Sequence, residues 1–127
     1  MPAILIIDDD QQVRWVLRQM LEREGYVVFE AANGREGIRQ HQHTPVDLVI
    51  TDILMPEQEG LETIQALQRL PPVPRIIAIS GGTPRIGMDF LPQAAMLGAQ
   101  RTLQKPVRRQ ELLEAVQALL AELEKTS

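Results

Sequence analysis

Three runs in this chain are apolar at every consecutive position: AILII at 3–7, LVI at 48–50 and IIAI at 76–79. Each is too short for a helix buried on all sides. Continuous apolar character over so few residues is the mark of a β-strand covered on both faces. Between them the apolar residues change period. Val13, Val16, Leu17, Met20 and Leu21 recur at helical spacing, as do Leu61, Ile64, Leu67 and Leu70, and again Leu112, Leu113, Val116, Leu119, Leu120 and Leu123. Gly25 closes the first helix, Asn33-Gly34 turns the chain into the second, and Pro71-Pro72 ends the third. The reading is strands at 3–7, 26–31, 48–51, 75–80 and 101–103, alternating with helices at 11–23, 35–43, 59–70, 89–97 and 108–125. Strict alternation calls for a doubly wound α/β fold around a parallel sheet.

A chain of 127 residues has room for one such domain, so residues 1–127 are expected to form a single unit. The net charge of −4, with basic residues scattered along the chain, predicts no direct nucleic-acid partner. No cysteine, no apolar run of membrane-spanning length and no signal-like segment ahead of Asp8 predict a cytoplasmic protein with no membrane partner.

In an open parallel sheet ligands bind beyond the carboxyl ends of the strands. Asp8, Asp9 and Asp10 follow the first strand, Asp52 ends the third, Ser80 ends the fourth and Lys105 lies just beyond the fifth. Carboxylates crowded on one edge repel unless a cation holds them, and hard oxygen donors suit Mg²⁺ or Mn²⁺. A lysine and a hydroxyl beside such a metal suit a phosphoryl group, with Asp52 as its nucleophile. Asp10 is expected to cap the first helix.

The acidic pair in IIDDD, the aspartate and later glycine of TDILMPEQEG, the hydroxyl and small residue of ISGG and the Lys-Pro of LQKPV together resemble the receiver domain of bacterial two-component response regulators. The resemblance covers nearly all of residues 1–123. It implies a flavodoxin-like, five-stranded parallel sheet of order 2-1-3-4-5 with five helices. It also implies that Asp52 accepts a phosphoryl group from a sensor histidine kinase or histidine phosphotransfer protein and signals to a downstream protein or relays the phosphoryl group. Asp9 and Asp52 would bind Mg²⁺ directly, Asp8 through water, and the backbone carbonyl of Leu54 would be a further ligand. Lys105 and Ser80 would contact the phosphoryl oxygens, with the Lys105-Pro106 bond cis. Trp15, on the outer side of the first helix, and Arg18 would lie near the histidine donor. Such a chain is not an enzyme beyond self-phosphorylation and slow autodephosphorylation.

Two features depart from the family pattern: Thr102, and a loop after Ser80, GGTPRIGMDFLP, that is longer than usual. Thr102 stands three residues before the lysine, where receivers commonly carry an aromatic ring, which leaves a small Ser80 to Thr102 coupling as the switch. Leu54 and Gly82 occupy the places from which side chains orient a hydrolytic water, and neither can hold one, so a long-lived phosphoryl group is expected. A haloacid-dehalogenase-like phosphatase and a receiver-like module that is never phosphorylated are the alternatives. The first calls for a second aspartate where Leu54 stands, and the second for a decayed acidic pair. His41 and His43 are read as surface residues.

Overall fold

The computed structural model describes residues 2–53, 59–80, 95–96 and 98–125. Its strands are β1 (Ala3–Ile7), β2 (Val27–Ala31), β3 (Leu48–Asp52), β4 (Arg75–Ser80) and β5 (Arg101–Gln104), in one sheet of order β2-β1-β3-β4-β5. Every adjacent pair is parallel. Among the described residues there are four helices rather than the expected five: α1 (Gln11–Glu22), α2 (Gly34–His43), α3 (Glu59–Leu67) and α4 (Arg109–Lys125). The helix expected at 89–97 lies outside the described residues except for Ala95 and Met96, which are helical. No helix among the described residues is long and apolar enough to cross a membrane.

The continuous apolar runs are explained by two cores, one on each face. Ile4, Ile6, Leu48, Ile50, Ile77 and Ile79 pack on one side with Leu17 and Leu21 of α1 and Leu112, Val116 and Leu119 of α4. Leu5, Ile7, Val49, Ile76 and Ala78 pack on the other with Ile64 and Leu67 of α3. Alternate residues of a strand point to opposite faces, so each strand must be apolar throughout.

Local signals set the ends of the helices. The Asp10 carboxylate accepts from the N–H groups of Gln12 and Val13 at 2.9 and 3.4 Å, the expected cap on α1. Asn33 caps α2 by accepting from Glu36 N–H at 2.9 Å, and the Glu36 carboxylate reaches back to Ala32 N–H at 3.0 Å. Gly25 turns the chain at φ 93°, in the left-handed region. Gly60 packs α3 directly on the end of β3, where a Cβ would overlap the Asp52 carbonyl oxygen and Ile53 Cα.

Three expectations need correction. α3 ends at Leu67 rather than Leu70, because Arg69 and Leu70 donate to Ala66 and Leu67 three residues back and tighten the chain into a turn. Val16 is 44% exposed; α1 buries Leu17 and Leu21 and tilts Val16 towards Pro106 and Val107. His41 is not at the surface but 2% exposed, its ring tied to three backbone groups, whereas His43 is exposed.

Candidate functional site

β1, β3 and β5 place their charged residues by strand period alone. Ile4 and Ile6 face the α1/α4 core, as do Leu48 and Ile50, so two residues further on Asp8 and Asp52 emerge on that same face. Leu103 also faces that core, and Lys105 follows it by two. The register pairs Ile7 with Thr51, which sets Asp8 beside Asp52. Beyond the acidic residue β3 stays anchored, Ile53 N–H donating to the Ile79 carbonyl at 3.0 Å.

Lys105 lies between the two buried carboxylates. Its ammonium donates to Asp8 Oδ2 at 3.0 Å and to Asp52 Oδ2 at 2.8 Å. Asp8 and Asp52 are 1% and 4% exposed. Asp9 is exposed, and oxygen atoms of Asp8, Asp9 and Asp52 lie within 4.8 Å of one another. Among the described residues three carboxylates meet one ammonium here, which leaves excess negative charge. That imbalance, an all-oxygen donor set and the open side offered by Asp9 fit a hard divalent cation such as Mg²⁺.

Burial raises the Asp8 pKa. The Asp10 N–H and the Lys105 ammonium oppose the shift, and the charge of Asp52 adds to it. A raised carboxylate pKa favours folding at low pH, and that contribution is lost as pH rises through the folded value. Ionising Asp8 in the folded protein therefore costs stability, which an added cation would offset. Burial works against the charge of Lys105, yet the hydrogen bonds and charges of Asp52 and Asp8 outweigh it and raise its pKa.

Ser80 is buried at the end of β4, and its carbonyl accepts from Lys105 N–H at 2.8 Å. The Lys105-Pro106 bond is cis. Thr102 is exposed and pairs with Ala78, while Ser80 pairs with Gln104, so the two expected switch residues are two positions apart along the ladder. Leu54 and Gly82 lie outside the described residues.

Two residues at this edge were missed in the sequence. Arg14 donates through Nη1 to the Asp8 main-chain carbonyl at 2.6 Å and through Nε to Glu30 at 3.0 Å. Glu30 also accepts from Arg18 at 2.8 Å. The available signal was a cation in the first turn of a helix, where the dipole disfavours it.

A groove of about 320 Å³ runs from Lys105 along α1, lined by Val13, Val16, Leu17, Pro106 and Val107. Trp15, 61% exposed, stands on the same helix, as the helical period predicts.

Comparison with known proteins agrees with this geometry. The chain is 32% identical over 124 residues to the transcriptional regulatory protein ResD of Bacillus subtilis, covering 98% of this chain and 50% of that protein. It thus spans about half the length of the first curated relatives it matches. It is 31% identical over 115 residues to the chemotaxis protein CheY of Thermotoga maritima, covering 89% of this chain and 92% of that one. A crystal structure of a CheY-like response regulator receiver domain protein from Methanospirillum hungatei superposes with a TM-score of 0.86 at 30% identity, covering 100% of this chain and 99% of that one. These matches favour neither the phosphatase nor the unphosphorylated module. With residues 4–117 matching the model of the response regulator receiver domain, the chain belongs to that family of phosphoacceptor modules.

Proposed function

We propose that Asp52 is the phosphoacceptor of this receiver and takes its phosphoryl group from a phosphohistidine of a sensor kinase or phosphotransfer protein. The observation that carries the reading is the Lys105 ammonium held at 2.8 Å from Asp52 and 3.0 Å from Asp8, in a pocket of excess negative charge. In the transfer a carboxylate oxygen of Asp52 bonds to phosphorus as the P–N bond of the donor breaks, and its electron pair returns to the imidazole. Lys105 is already within hydrogen-bond reach and neutralises charge on the arriving phosphoryl oxygens. The Ser80 hydroxyl donates to the same group. With no ring at Thr102, the switch runs from Ser80 into the segment that follows it.

The family typically binds Mg²⁺ at an acidic pocket, and an ion held there would supply positive charge to the phosphoryl group. Asp9 and Asp52 would be its direct ligands, together with the carbonyl of Leu54, and Asp8 would act through water. Both Asp8 oxygens are already engaged, Oδ1 by Asp10 N–H at 2.8 Å and Oδ2 by Lys105, which supports the indirect role. The donor histidine approaches along α1, where the apolar groove leads to Lys105 and Trp15 offers an exposed ring.

Receiver domains are signalling modules rather than true enzymes. In this one, residues 1–127 act as a single cytoplasmic receiver whose only chemistry is self-phosphorylation and slow loss of phosphate, since Leu54 and Gly82 bring no side chain able to place a water. It passes its signal on to a partner protein.

With Mg²⁺ and acetyl phosphate the protein gains one base-labile phosphoryl group by mass spectrometry, and Asp52→Asn gains none. Phosphate persisting in that variant, or never appearing in the wild type, would end this reading.

A further inference from the structure

We propose that Arg14 is a positioning residue that holds the acidic turn of this site through the main-chain carbonyl of Asp8. The inference rests on the receiver reading above. β1 leaves the sheet at Asp8, whose N–H still donates to the Ala31 carbonyl at 3.1 Å. The carbonyl of Asp8 is taken instead by Arg14 Nη1 at 2.6 Å. The guanidinium replaces a strand partner at the point where the chain turns into the metal-binding residues.

All four polar groups of Asp8 are then assigned: N–H to Ala31, carbonyl to Arg14, Oδ1 to Asp10 N–H and Oδ2 to Lys105. The Asp8–Asp9 peptide plane contains the carbonyl that Arg14 holds, so fixing that carbonyl also fixes the direction in which Asp9 leaves the turn.

Nothing in the helix rewards this arrangement. Arg14 lies in the first turn of α1, at the positive end of its dipole, and that turn has no acidic side chain to offset it. The compensation comes from β2. Glu30 Oε1 accepts from Arg14 Nε at 3.0 Å, and Oε2 accepts from Arg18 Nη1 at 2.8 Å. A two-pronged guanidinium suits the task, since one prong is anchored on Glu30 while the other reaches the carbonyl. Lys105 arrives from β5 and meets Asp8 at its carboxylate rather than its carbonyl, so the two cations hold different groups of the same residue. Arg14 orders the metal-binding turn, and Lys105 serves the phosphoryl group.

The test measures Mg²⁺ affinity by calorimetry without a phosphodonor, and then phosphorylation by acetyl phosphate across a Mg²⁺ series. Arg14→Gln raises the Mg²⁺ dissociation constant about tenfold, and Glu30→Gln about threefold. Arg14→Lys falls between wild type and Arg14→Gln, because a single ammonium does not span both acceptors. At saturating Mg²⁺ the phosphorylation rate of Arg14→Gln returns to within about twofold of wild type, whereas Lys105→Ala stays slow. A Mg²⁺ affinity unchanged in Arg14→Gln, or a rate defect that saturating Mg²⁺ leaves in place, overturns the inference and leaves the receiver reading standing. If Arg14→Gln does not fold, Arg14→Lys and Glu30→Gln carry the same comparison. A wild-type chain that binds no Mg²⁺ overturns both.

Discussion

At the amino end of the sheet the His41 ring is 2% exposed, and its two nitrogens are matched by backbone groups. Nδ1 accepts from Val46 N–H at 3.1 Å, and Nε2 faces the carbonyls of Pro72 at 2.9 Å and Leu70 at 3.3 Å. With Nδ1 accepting, the proton belongs on Nε2, and the ring is a neutral brace between the loops that enter β3 and β4. At the carboxyl end Asp8 and Asp52 are buried as deeply but share one ammonium, with a third carboxylate within 4.8 Å. Polar side chains matched by hydrogen bonds hold a fold together, while buried charge of one sign is kept at the expense of stability because a ligand is to complete it.

Substitutions at the two ends should therefore move stability in different ways, and the largest effect is expected at the quiet end. His41→Ala leaves the Val46 N–H and the Pro72 carbonyl without their partner and opens a void, costing about 3 kcal/mol in urea unfolding. Phosphorylation of the folded fraction stays at the wild-type rate. A loss well below that would mean the brace is dispensable and the contrast between the ends is weaker than drawn.

Lys105→Ala comes next. It leaves Asp8 facing Asp52 with no cation between them, costing about 2 kcal/mol in metal-free buffer. Adding Mg²⁺ should recover most of it, and calorimetric melting with and without the ion would read the difference. Recovery no larger than in the wild type would mean the ion binds elsewhere.

Asp52→Asn has the opposite sign. Removing one of three crowded carboxylates should stabilise the metal-free domain by about 1 kcal/mol while abolishing phosphorylation. A destabilised Asp52→Asn variant would show that the carboxylate serves the fold as well as the chemistry.

The smallest effect is at Glu30. The hydrogen bond from Arg18 is the main cause of its lowered pKa; burial opposes the shift, and Arg14 adds to it. Its contribution to stability is present above its ordinary value of 4.5 and is lost as pH falls through the lowered folded value. Glu30 is partly solvated, so Glu30→Gln should flatten the acid side of the stability profile by only about 0.5 kcal/mol. An unchanged acid limb would leave Glu30 with positioning alone.

The sheet was legible because strands buried on both faces must be apolar at every position, and AILII and IIAI cannot be read otherwise. The charged cluster was legible for a related reason. A parallel sheet collects its carboxyl ends on one edge, so residues that interrupt an apolar run there are brought together by topology alone. His41 gave no such sign. It sits among polar residues in RQHQH, and its carbonyl partners are 29 and 31 residues away in a loop whose path the sequence does not announce. The Arg14–Glu30 pair, separated by 16 residues, was hidden likewise, since salt bridges between a helix and a strand leave no periodic trace. Val16 misled because a stripe at helical spacing is wider than the line of contact, and the residue at its margin was left facing the groove.

The contact from Lys105 to Asp8 joins residues 97 positions apart and ties the last strand to the first. No short fragment of the chain contains the whole site, so a bound ion or phosphoryl group would stabilise the domain as a whole against unfolding rather than one loop of it. Proteases act on the opened chain, and their rate follows its population. Occupancy of the pocket and turnover of the protein are therefore coupled, and a receiver holding its signal should also resist degradation longer than an idle one.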